Sequence, residues 1–146
     1  MNSNSANPGV GAEFQRAVAN WFRSNYHGAF ELEKKIPIGC SEDNLKDHKF
    51  DIVSDEEKIV IECKCYTWTE NGNVPSAKMG FTNEAAFYLS FLPSEYKKYI
   101  VMKLATNEKR NETLSEYYYR MNRHLLGDIK VAEYDPVNDV FRVLGE

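Results

Sequence analysis

Cysteine is scarce in this chain: three residues, Cys40, Cys63 and Cys65, among 146. So small and odd a number gives no disulfide framework and points to a reducing, cytoplasmic setting. The paired Cys-x-x-Cys knuckles of structural zinc sites are missing too. No apolar run is long enough to span a bilayer, so no membrane is expected as a partner. Met1 to Asn7 is Asn- and Ser-rich and lacks the basic and apolar regions of a signal peptide. It is expected to be a disordered tail. Positive charge is in deficit, with a net charge of −4. That argues against a strongly basic nucleic-acid binder, though local basic patches remain open. Repeats, low-complexity tracts and linkers are absent, so residues 8–146 are expected to form one domain. The serines have no nucleophile-elbow context, and His27 and His124 have no acid/base partner in sequence.

What is present is a core. The chain is 42% hydrophobic and 13% aromatic, enough for one buried interior. Asn7 and Pro8 suit a helix start, and Val10, Phe14, Val18, Trp21 and Phe22 form a helical apolar stripe that stops before Gly28. A strand is expected over Phe30 to Ile38, then a polar loop over Gly39 to Asp47. Strands at Lys49 to Ser54 and Glu57 to Cys65 come next, both rich in β-branched residues. Tyr66 to Asn73 is rich in turn formers. Pro75 to Leu92 reads as a helix, Tyr99 to Ala105 as a buried strand, and Glu112 to Leu126 as a helix with Leu114, Tyr118, Met121 and Leu125 inward. Ile129 to Tyr134 and Val140 to Val143 read as the last strands.

The stretch from Lys49 to Lys64 holds the chemistry. Side chains alternate along a strand, so Glu62 and Lys64 project from one side. With Asp55-Glu56 as a two-residue turn, Ser54 pairs with Glu57 and Asp51 with Val60. Asp51 is then diagonal to Glu62 on the same face. The other face carries Phe50, Ile52, Ile59, Ile61, Cys63 and Cys65. A one-residue slip would place Asp51 among the isoleucines, so burial favours this register. Two carboxylates and an ammonium at one point are costly in a core and useful at a metal site that cuts phosphodiesters. A Glu-x-Lys pair on a strand is also a common surface ion pair of little energetic weight. Cys63 and Cys65 fall on the apolar face, where cysteine acts as a small hydrophobe.

Asp51, ten residues, then Glu62-Cys63-Lys64 resembles the signature of the PD-(D/E)XK nuclease superfamily. Glu13, in Gly11-Ala-Glu-Phe-Gln-Arg-Ala-Val18, is similar to the acidic residue of that superfamily's first helix. Phe50 stands where many members have proline. The resemblance runs from about Pro8 to Tyr134. It implies an α/β fold, a restriction-endonuclease-like central mixed β-sheet flanked by helices in the order αβββαβαβ. It implies hydrolysis of DNA phosphodiesters with Mg²⁺, for which Mn²⁺ can substitute. Asp51, Glu62, the Cys63 carbonyl and Glu13, directly or through water, would hold the ion, and Lys64 would act on the water or the phosphate. A solvent-directed Glu13 at the border of the apolar stripe is the plainer reading of the residue itself.

Tyr66 and Trp68 are candidates to stack on a sugar or base, or to pack over the hairpin end. Lys78 is a candidate phosphate contact, as are Arg120 and Arg123, neighbours on one helix face. Solvated side chains are the plainer alternative for all three. DNA is the expected partner, with a homodimer or a targeting protein as further possibilities. A catalytically silent nucleic-acid-binding or protein-interaction module on the same fold is the competing function.

Overall fold

The first helix is built on one stripe. Phe14, Val18 and Phe22 recur every four residues and are all buried, with Ala19 beside them. The computed structural model describes residues 8–146; the expected tail and the Asn7 cap lie outside them. Helix α1 runs over Pro8–Asn25, followed by strands β1 (Glu31–Ile38), β2 (Lys46–Ser54) and β3 (Ile59–Lys64). Helix α2 (Ser76–Leu89) leads to β4 (Lys97–Lys103), and α3 (Leu114–Asn122) with a 3-10 turn at Arg123–Leu125 leads to β5 (Lys130–Asp135) and β6 (Val140–Val143).

The described strands form one six-stranded mixed sheet in sequence order. The outer pairs are antiparallel, whereas β3, β4 and β5 run parallel. Parallel neighbours need a crossover, and α2 and α3 supply the two. Apolar residues of α1 pack with Ile52, Ile59, Ile61, Cys65, Tyr99 and Val101 on one face. Residues of α2 and α3, among them Met79, Leu89, Leu114 and Tyr118, pack with Phe50, Val53, Val60 and Met102 on the other. The central strands are therefore covered on both sides, as parallel sheets require. The coarse α/β architecture agrees with the expectation from sequence.

Three local expectations are corrected. The β2–β3 connection is Asp55 to Lys58, with Lys58 at φ 55°, and Ser54 pairs with Ile59 rather than Glu57. This shift of two residues preserves side-chain parity, so no face changes. Second, Phe50 lies in the α2/α3 cluster and Ile52 in the α1 cluster. Alternation is broken at Asp51, across from Glu33, which has φ 53° and interrupts the β1–β2 pairing. Third, α3 ends at Asn122, and Met121 in its last turn and Leu125 beyond it are exposed instead of inward.

Hairpin and first helix are tied together by carboxylates. Glu57 accepts from the backbone N–H groups of His27 and Gly28, and Glu56 from that of Ala29. A Cβ at Gly28 would lie 2.7 Å from Glu57 Cγ, so glycine is what lets this loop approach the turn.

Candidate functional site

β2 and β3 are last paired at Ile52 and Ile61. One step further, Asp51 and Glu62 stand level where the strands separate. Asp51 Oδ2 there accepts from the Cys63 N–H at 2.8 Å, taking the place of a ladder bond. Gln15 Nε2 of α1 donates to the Asp51 carbonyl at 3.4 Å, which holds the strand end from the other layer. The Asp51 carboxyl is close enough to that of Glu62 to act on its charge. Asp51 was expected diagonal to Glu62; the two-residue register shift brings it opposite.

Glu62 is only 6% exposed. Burial, then the charge of Asp51, pushes its carboxyl up to about 9, with Lys64 pulling the other way. At neutral pH the pair therefore keeps a proton, as two carboxyls sharing a site do. The Cys63 and Cys65 thiols are also pushed up by burial. Protonated thiols are poor metal ligands, so the oxygen donors are the relevant set.

His48 was not singled out as part of this site. Its Nε2 lies 3.7 Å from Glu62 Oε1, and its ring stacks on Tyr88 at 3.9 Å and meets Phe50 edge-on at 4.6 Å. Burial lowers its pKa and favours neutral imidazole. Strict alternation puts residues 48 and 51 on opposite faces; the break at Asp51 brings His48 beside Glu62.

Lys64 and Lys78 converge on one ring. Their Nζ atoms lie 5.8 and 5.4 Å from the Tyr66 centroid. Tyr66 is half-buried and shared between the two cations. Trp68 is placed differently. It is 6% exposed, its indole N–H donates to the Ala105 carbonyl at 3.2 Å, and the Arg110 guanidinium covers its ring at 4.5 Å. Trp68 is a core residue, and the packing role replaces base stacking.

Glu13 is exposed on α1 and lines a cavity of about 230 Å³ with Lys103 and Pro136. Among the described residues, no group of three or more His, Cys, Asp or Glu side chains is arranged to hold a metal ion. The structure therefore brings Asp51, Glu62 and Lys64 to one end of β3, without Glu13 as a third carboxylate. Arg120 is held in a two-pronged contact by Glu112, at 3.1 and 2.7 Å. Its partner is thus Glu112; Glu116 instead pairs with Arg142 at 3.0 Å. The guanidinium of Arg123 lies 5.4 Å from the Tyr119 ring centroid.

No family model, curated protein or solved structure matches this chain. The chemistry of the site follows from its own residues.

Proposed function

We propose that this protein is a metal-dependent endonuclease that hydrolyses DNA phosphodiester bonds. The observation that carries the proposal is the meeting of half-buried Asp51 and buried Glu62 beside Lys64 at a strand divergence. A proton held far above the usual carboxylate range marks a place where positive charge is in demand. An all-oxygen donor set suits a hard cation. Asp51 and Glu62 would hold it. The Cys63 N–H faces the gap on the β2 side, and in a strand the carbonyl of the same residue points that way too, so this oxygen would be the third donor.

Bound Mg²⁺, or Mn²⁺ in its place, would polarise the scissile phosphate and lower the pKa of a water. The protein's own groups do the rest. The Cys63 N–H fixes the Asp51 carboxylate. Lys64 offsets charge that develops on the phosphate in the transition state. Lys78 and Tyr66, beside Lys64, would meet a neighbouring phosphate or sugar. Plasmid and single-stranded DNA, with Mg²⁺ or with chelator, provide the test. Lys64→Ala should lower cleavage about 10²–10³-fold and leave the fold intact. Unchanged cleavage by that variant would remove Lys64 from the mechanism.

A binding module without turnover is the second reading. It is favoured by one observation: among the described residues, no three His, Cys, Asp or Glu side chains are grouped to hold a metal ion. Salt-sensitive DNA binding with no cleavage under any divalent ion would select it.

A further inference from the structure

Beside the carboxyl pair, on the α2 side of the sheet, lies a cavity of about 330 Å³ lined by Ile38, Gly39, Lys46, Asp47, His48, Tyr88 and Phe91. Its wall is shared with the acid pair, because His48 touches Glu62 on one side and lines the cavity on the other. The lining is aromatic and apolar, with one cation and one carboxylate. That is the composition of a small-ligand site in which a few polar groups orient an apolar body. The volume is at the small end of ligand cavities and suits one planar ring system.

From this juxtaposition we infer that the cavity is a nucleobase subsite, and that the substrate is a DNA strand unpaired at the nucleotide next to the cut. The inference rests on the nuclease reading and specifies its substrate. Three observations support it. Tyr88 and Phe91 provide ring surface for base stacking, which does not depend on sequence. Lys46 and Asp47 provide a donor and an acceptor for the edge of a base. A base inside a duplex cannot enter a recess without leaving its stack, so the occupant must be unpaired. The charge balance agrees. A chain of net charge −4 is poorly equipped to hold many phosphates of a duplex, whereas stacking holds a single strand with few cations.

The test is an abasic scan on the full-length protein. A short labelled single-stranded oligodeoxynucleotide is bound in chelator and cleaved in Mg²⁺, with one base removed at each position in turn. One position, adjoining the cut, should lose about tenfold or more in binding. Phe91→Ala should lower affinity for the intact strand by a similar factor and remove the penalty for the missing base. The matching duplex should bind more weakly than the single strand. Cleavage with a flat abasic scan overturns the subsite and leaves the nuclease reading standing. A position-specific, Phe91-dependent scan without cleavage under any divalent ion supports the subsite and overturns the nuclease. Tighter binding of the duplex, or no binding of any single strand, overturns the subsite.

Discussion

Glu62 is a carboxyl buried at the end of β3. Its carboxyl is raised to about 9 in the folded chain, mainly by burial. A raised carboxyl binds its proton more tightly folded than unfolded. The native state is therefore favoured below the unfolded pKa and loses stability as pH climbs from about 5 toward 9, by at most about 1.4 kcal/mol per pH unit for one proton. Glu62→Gln removes the titration. In chelator, denaturant unfolding should show stability falling with pH over that window in wild type and a flatter profile in the variant, which should also lose cleavage. A variant as pH-sensitive as wild type would place the linked proton elsewhere. The motif residues Asp51, Glu62 and Lys64 were legible because strand parity survives an even register shift. His48 was not, because it reaches Glu62 only through the break in alternation at Asp51.

At the scale of elements, α3 is anchored to the sheet by a polar knot. Thr113 and Glu116 form a reciprocal cap at its start. The Thr113 and Ser115 hydroxyls both donate to buried Glu133 on β5 at 2.5 Å, and Arg142 of β6 donates to it at 2.9 Å. Thr113→Val should cost about 1–2 kcal/mol in denaturant unfolding, since it removes a cap and a donor to a buried carboxylate. A loss under a few tenths of a kcal/mol would show that Ser115 and Arg142 suffice. The same helix bears the arginines expected to meet phosphate. Arg120 is already committed to Glu112. Replacing Arg120 and Arg123 together by Ala should therefore leave the salt dependence of DNA binding unchanged; a slope lower by about two units would restore them as phosphate contacts. The helix end itself was misjudged from sequence. Met121 and Leu125 continue the apolar period of Leu114 and Tyr118, but Met121 sits in the last turn of α3 and Leu125 in the 3-10 turn beyond it, and both stay exposed. Trp68 illustrates the reverse: an aromatic in a turn-rich segment reads as rim, and only the Ala105 carbonyl and Arg110 across the fold make it core.

For the whole molecule, the layered α/β order was legible because β2, β3 and β4 carry β-branched residues in short runs and α1 carries a clear apolar stripe. The site is less local. It needs β2 to part from β3, Gln15 to hold the Asp51 carbonyl, and α2 to bring Tyr88 against His48. These pieces converge on one claim, that the Asp51–Glu62 pair is a cation site occupied by a proton until a metal replaces it. Calorimetric titration with Mn²⁺ at neutral pH, repeated in buffers of different ionisation enthalpy, measures that exchange directly. Wild type should bind the ion and release about one proton per ion, and Glu62→Gln should bind weakly and release none. Absence of binding by wild type, or binding that releases no proton, would contradict the account.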